Sequence, residues 1–420
     1  MEFYQKTAKN GVVCNYGYTD HFKSSYVSLD FIMPLTEENA TGMSLLAGVI
    51  GRGCAKYPQM DQIGRYLARN YGASFSISAN KAGEFETLSF SFTHLDNDYA
   101  IDGEDISGAI FSLLNEMVFH PLIDGGAFLS SYVEQEKTNL NDKIIGQFND
   151  KRVYSLERCK SLMCSEEAYG VNEMGSCDII KEFTPVSLYS FYRRMMADAC
   201  VVINYVGKER TLDLLCIADK FTDRSSGFPS TQVLTASTQV NEVIEEMDLN
   251  QSKLNLGFRL GDTAVKKGAA CRLFNVLYGG SATSKLFMNV RERLSLCYYC
   301  SSTVDRFKNV MFVSSGVESV KYNEARNEIE AQLAAIACGA FTDEELSNAR
   351  VYLCDSIRGF LDSEGALASM MLSGTLRGEL KTPEQEIKEI EKVTREDLIA
   401  IAKETVLDTV YFLKGVHNEA

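Results

Sequence analysis

The chain has only four imidazoles, His21, His94, His120 and His417, followed by Phe22, Leu95, Pro121 and Asn418. Neither H-E-x-x-H nor H-x-x-E-H therefore occurs, and no helix can offer zinc two histidines with a glutamate base between them. No serine has glycine two positions away on both sides, which removes the nucleophile elbow of the serine hydrolases. Gly279-Gly280-Ser281-Ala282-Thr283-Ser284-Lys285 has the look of a phosphate loop, but its serine precedes its lysine, the reverse of a Walker A motif. A Rossmann G-x-G-x-x-G is also absent, and Gly51-x-Gly53 follows a helical pattern instead of a strand. The single C-x-x-C, Cys297 to Cys300, has the spacing of a redox pair or of half a zinc site. No second C-x-x-C completes four ligands. The 57 acidic residues show no discriminating spacing that would pick out a catalytic carboxylate pair.

Those side chains sit in a chain of 420 residues that is 45% hydrophobic and 24% charged, enough apolar material for two or three ordinary domains. The net charge of −15 disfavours phosphate backbones and anionic lipid, so no nucleic-acid or membrane partner is expected. Apolar runs such as Ala199 to Val206 are too short to span a bilayer, and Met1 to Cys14 does not read as a signal peptide. The expected location is cytoplasmic, with the twelve cysteines mostly reduced core thiols.

Periodicity places the elements. Lys9-Asn10-Gly11 is a turn between strands Phe3 to Lys6 and Val12 to Tyr16, and Ser25 to Met33 alternates as a third strand. Glu37 to Ile50 has helical spacing that stops at Gly51-Arg52-Gly53, and a second helix covers Met60 to Tyr71. Strands follow at Ser74 to Ser78 and Thr87 to Thr93, then helices at Ile106 to Met117, Ala127 to Met163 and Pro185 to Met196. The strand Cys200 to Tyr205 and a helix near Thr211 to Lys220 close the first half. Residues 222–239 are rich in Ser and Thr and show no sustained period. Beyond them the pattern repeats: Leu254, Leu256, Phe258 and Gly280 stand 227 positions after Val27, Leu29, Phe31 and Gly53. A helix at Lys285 to Arg293 and strands at Cys297 to Val304 and Asn309 to Val317 come next. Helices at Val320 to Cys338, Thr342 to Leu372 and Arg395 to Glu404 and a strand at Thr409 to Lys414 complete the half. The expected fold is α+β, with two homologous halves, each an antiparallel-rich sheet packed by helices: residues 1–221, a linker at 222–245, and residues 246–420.

Taken together, the halves resemble the pitrilysin and mitochondrial processing peptidase superfamily of inverted-motif zinc peptidases. In its active members the helix after the third strand carries H-x-x-E-H just before a turn ending in glycine. Aligned on Gly51-Arg52-Gly53, the five motif positions are Ser44, Leu45, Leu46, Ala47 and Gly48, so both histidine ligands and the general base are replaced. The family's third ligand lies seven residues after the Glu of E-[RK]-x-x-[VL]. Glu136-Lys137-Thr138-Asn139-Leu140 matches that lead-in, and Lys143 stands in the ligand position. Ser, Ala and Gly supply no imidazole or carboxylate, and a lysine ammonium has no lone pair, so the resemblance implies no metal and no catalytic residue in this chain.

A second signature is kept. Gly279-Gly280, Ser284-Lys285-Leu286-Phe287, then Arg291 and Tyr298 match the family's R-x6-Y pair, which in relatives reaches from the half lacking zinc to the substrate backbone. The resemblance thus implies a non-catalytic subunit of a heterodimeric zinc endopeptidase. Its partner would be a homologous subunit bearing the zinc motif, with Zn²⁺ in that partner and a peptide as substrate, added as a strand along Ala73 to Ser78. Met247 to Arg259 and Arg52 to Pro58 are similar to the non-catalytic member of a bacterial pair associated with modification of elongation factor P. The alternative is a structural or adaptor protein of the same fold, with Arg291 and Tyr298 retained for packing.

Overall fold

The computed structural model describes residues 1–210, 213–225, 227–228, 231–234 and 239–416. His417, the start of the helix expected near Thr211, and parts of the Ser/Thr-rich stretch lie outside the described residues. Sheets packed by helices make up two compact units. Unit 1 holds residues 1–145, 171–230 and 360–382, and unit 2 holds 146–170, 231–359 and 383–420.

Unit 1 is built on a six-stranded sheet in the order β1-β2-β8-β3-β5-β4. Its strands are β1 (Glu2–Thr7), β2 (Val13–Tyr18), β3 (Ser24–Pro34), β4 (Ser74–Ala82), β5 (Phe85–Leu95) and β8 (Cys200–Gly207). A two-residue ladder pairs β6 (Ile123–Asp124) with β7 (Ala127–Phe128). The helices assigned to this unit are α1 (Glu37–Gly51), α2 (Met60–Arg69), α3 (Ile106–Phe119), most of α4 (Ser130–Asn149), α6 (Cys177–Glu182), α7 (Pro185–Asp198), α8 (Leu215–Ala218) and α13 (Glu364–Leu376). Alternation in β3 and β5 puts Val27, Leu29, Phe31, Leu88, Phe90 and Phe92 into one core with α1, α3 and α7.

The opposite face of that sheet is polar in the middle. Asn15 donates to Asn204 Oδ1 at 2.8 Å and to Thr375 Oγ1 of α13 at 2.9 Å, Asn204 donates to Asp30 at 2.8 Å, and Ser28 donates to Asp30 at 2.7 Å. Leu367, Ala368 and Met371 of α13 pack beside this network on Val206. A helix from the second half of the sequence thus covers the first half's sheet.

Unit 2 repeats the plan with five strands in the order β11-β12-β10-β13-β9. These are β9 (Asn241–Met247), β10 (Ser252–Arg259), β11 (Cys297–Asp305), β12 (Val310–Val317) and β13 (Val406–Gly415). The strand β9 falls partly inside the stretch read as linker, because its Glu242, Glu245 and Glu246 mask the apolar alternation. Its helices are α5 (Lys151–Met163), α9 (Asp262–Lys266), α10 (Gly268–Tyr278), α11 (Tyr322–Ala337), α12 (Asp343–Arg358), α14 (Pro383–Glu391) and α15 (Arg395–Glu404).

Two helices expected as single long elements are broken. Asp150, whose carboxylate accepts from the N–H groups of Arg152 and Val153, caps α5 and ends the run that began in α4. Residues 359–363 likewise separate α12 from α13, where Ser363 caps the new helix. The α5 piece joins unit 2, where Cys159 and Met163 pack with Phe312 and Tyr411. Arg259 pins this segment: it is paired with Glu167 Oε1 at 2.5 Å and Asp408 at 3.2 Å, and the fully buried Lys308 ammonium also contacts Glu167. The charges are paired on every side, which is what burial requires.

Candidate functional site

In unit 1 the C-terminal half of α1 faces the edge strand β4 across a recess of about 380 Å³. It is lined by Ala47, Gly48, Gly51, Arg52, Met60, Phe75, Ser76, Ile77 and Glu136. Because residues 47, 48, 51 and 52 follow the i, i+4 repeat, they form one face of α1, and Phe75 to Ile77 come from the strand whose outer edge has no partner in the sheet. Glu136 enters from α4. Arg52 Nε donates to Glu136 Oε1 at 2.6 Å, Nη2 lies 2.5 Å from the same oxygen, and Asn139 Nδ2 donates to it at 3.1 Å. The Arg52 guanidinium also stands 5.4 Å from the centre of the Tyr132 ring. This ion pair, between residues 84 apart, was invisible to spacing; the sequence marked Glu136 only as a lead-in and Arg52 only as part of a turn.

Ala47 and Gly48 line the recess, and Gly48 lies so close to Glu136 that a Cβ there would fall 2.3 Å from Oε2. Ser44, one turn earlier on α1, is half-buried and is not among the lining residues. Lys143 is exposed on α4, two turns beyond Glu136, and does not line the recess either. These donors do not suit Zn²⁺. Ala47 and Gly48 offer none, and the one carboxylate is engaged by Arg52. Among the described residues no group of three or more His, Cys, Asp and Glu side chains could hold a metal.

Arg291 and Tyr298 belong to unit 2. Arg291 lies in Leu286–Arg293, which winds as a π-helix where an ordinary helix was expected, with Leu294 N–H reaching back to Asn289 O at 3.2 Å. Such wide turns are rare and concentrate at functional sites. The Ser284 hydroxyl accepts from Phe287 N–H at 3.3 Å at its start, and Gly279, where a Cβ would meet Ser302 N at 2.7 Å, lets the end of α10 touch β11. The Arg291 guanidinium stacks over Phe287 at 4.6 Å, with Glu292 Oε1 3.5 Å from Nε.

Tyr298 stands at the start of β11, an edge strand, and is 64% exposed. Its neighbour Tyr299 turns the other way and stacks with the Arg152 guanidinium at 4.4 Å. Arg291 and Tyr298 flank the three-residue link 294–296, and neither is buried.

Comparison with known proteins gives this arrangement a lineage. The family model described as the peptidase M16 inactive domain matches residues 182–353. A Bacillus subtilis protein named "Probable inactive metalloprotease YmfF" is 31% identical over 418 residues, covering 98% of each chain. This chain belongs to the peptidase M16 family. Its sequence contains no H-x-x-E-H, and the relative it matches at 31% identity is itself named as a probable inactive metalloprotease. A second Bacillus subtilis relative, "Uncharacterized zinc protease YmxG", is 21% identical over 90% of this chain and 94% of its own. Among solved structures, a conserved protein from Enterococcus faecalis V583 superposes with a TM-score of 0.91 at 27% identity, covering 99% of this chain and 100% of that one. A peptidase M16 inactive domain from Pseudomonas fluorescens shares the fold at a TM-score of 0.81 and 16% identity, with both chains covered fully. No helix among the described residues is long and apolar enough to cross a membrane.

Proposed function

We propose that this chain is the non-catalytic subunit of a heterodimeric M16 zinc endopeptidase. A homologous partner bearing H-x-x-E-H supplies metal and base, and Arg291 and Tyr298 contact the backbone of the peptide substrate beside the scissile bond. The observation that carries this reading is the 64% exposure of Tyr298 on an edge strand directly after the Arg291 π-turn. A tyrosine kept for packing would bury its ring. A phenol and a guanidinium are the donors that stabilise an oxyanion as it forms, and one such donor is typically worth about 2.7–4 kcal/mol. In unit 1 the free edge of β4 and the adjoining recess suit an extended peptide that adds as a strand.

The test is to co-express the chain with an M16 homologue carrying H-x-x-E-H, purify the pair, and compare peptidase rates. Arg291→Ala and Tyr298→Phe in this chain should each lower kcat by roughly a hundredfold or more while leaving the complex intact. Unchanged rates in both variants would leave the chain an adaptor of the same fold.

A further inference from the structure

The structure assigns Cys297 and Cys300 as a redox modification site that closes into an intrastrand disulfide at the start of β11. Three residues apart on a regular strand, two side chains point to opposite faces and cannot meet. Here the ladder is bulged: Cys297 pairs with Val317 and Cys300 with Ser315, so three steps along β11 match two along β12. Both cysteines therefore share the face of Val317 and Ser315 and enter the same core cluster. Their β12 partners are two residues apart, about 6.6 Å along a strand. That falls within the Cα separation of about 4.4–6.8 Å that a disulfide spans.

Both thiols are buried, Cys297 at 9% and Cys300 at 3% exposure, beside Ser315, whose hydroxyl donates to Tyr299 O at 2.9 Å. The Cys300 thiol, helped by Ser315 and the Arg291 guanidinium, holds Cys297 below the ordinary thiol range, against the effect of burial. Cys300 is held above that range by the Cys297 thiolate and by its own burial. Burial pushes Cys14, Cys54, Cys159, Cys164, Cys200, Cys271 and Cys354 upward, as core thiols should behave. Cys297, the less buried of the two and the one that feels the Arg291 charge, is the attacking thiol, and Cys300 is the resolving one. Cys297 is buried but lies at the first residue of a strand whose outer edge is unpaired, so a reagent reaches it by local opening of that strand end.

The oxidant is a low-molecular-weight disulfide, RS–SR. Cys297 thiolate attacks one sulfur, forming Cys297–S–S–R and expelling RS⁻. Cys300 then gives up its proton and attacks the Cys297 sulfur, forming the Cys297–Cys300 bond and expelling the second RS⁻. Two protein thiols are oxidised, one RS–SR is reduced to two RSH, and the two thiol protons end on the released thiols.

The experiment treats the full folded chain with glutathione disulfide, blocks remaining thiols by alkylation, and maps peptides by mass spectrometry. The expected product is a peptide containing an unalkylated Cys297–Cys300 bond that dithiothreitol reopens. Cys300→Ser should stop at a glutathione adduct on Cys297, and Cys297→Ser should give neither product. Recovery of both residues alkylated, or of a stable adduct on Cys297 in the unmutated chain, overturns the assignment. The unmutated chain decides the matter alone if a serine variant fails to fold.

Discussion

Gly48 gives a sharp test of how the recess in unit 1 is filled. A methyl group there would lie 2.3 Å from Glu136 Oε2 and 2.8 Å from both Cδ and Cγ, 1.1 Å short of the 3.4 Å at which ordinary contact begins. The carboxylate cannot simply swing aside, since Arg52 holds Oε1 through two nitrogens at 2.6 and 2.5 Å and Asn139 holds it at 3.1 Å. Forcing an extra carbon into a packed site costs about 1–3 kcal/mol. Replacing a helix-interior glycine by alanine returns roughly 0.8–1 kcal/mol. Gly48→Ala should therefore lower the stability of unit 1 by up to about 2 kcal/mol. Gly64→Ala, in α2 with nothing within 4 Å of its added carbon, should raise it by about 0.5–1 kcal/mol. Urea unfolding followed by circular dichroism and by tyrosine fluorescence measures both. In a Glu136→Ala background the Gly48→Ala penalty should vanish and the propensity gain should appear. If Gly48→Ala stabilises the otherwise unchanged chain as much as Gly64→Ala does, the carboxylate does not lie against Gly48 and the account of the recess is wrong.

Other outcomes follow from the buried polar groups. Glu86 is fully buried with neither carboxylate oxygen hydrogen-bonded, and burial, with Glu173 adding, raises its carboxyl to about 9 against the opposing effect of Lys81. The folded state then holds a proton that the unfolded chain has lost, so stability should fall as pH rises from about 4.5 toward 9. Glu86→Gln should flatten that slope in unfolding measurements at stepped pH, and an unchanged slope would count against a protonated Glu86. Arg259→Ala leaves Glu167 and Asp408 without their shared guanidinium and should destabilise unit 2 by about 3–5 kcal/mol; a loss under about 1 kcal/mol in denaturant melts would show the cluster to be hydrated. Thr375→Val removes one of the two acceptors of the Asn15 amide beneath α13, Asn204 Oδ1 being the other, and should cost about 1–3 kcal/mol, seen as earlier proteolytic nicking of residues 360–382.

The sequence by itself determined most of the local elements, the repeated strand pattern, and the lack of an H-x-x-E-H motif, because each depends on residue type and short-range period. The alternation of Val27, Leu29 and Phe31, repeated in Leu254, Leu256 and Phe258, fixed which strand faces each core. The absence of H-x-x-E-H anywhere in the chain is likewise a matter of residue type alone. Tertiary structure decided what no spacing carries. It sent α5 and α13 to the unit built mainly from the other half, because each sheet has two faces to cover and a helix leaves no record in its own period of which sheet it will meet. It set Glu136 against Gly48 and paired it with Arg52 across 84 residues. The wide turn at Arg291 and the bulge that turns Cys297 and Cys300 to one face belong with these, since neither leaves a mark in a segment whose sequence reads as plain helix and plain strand.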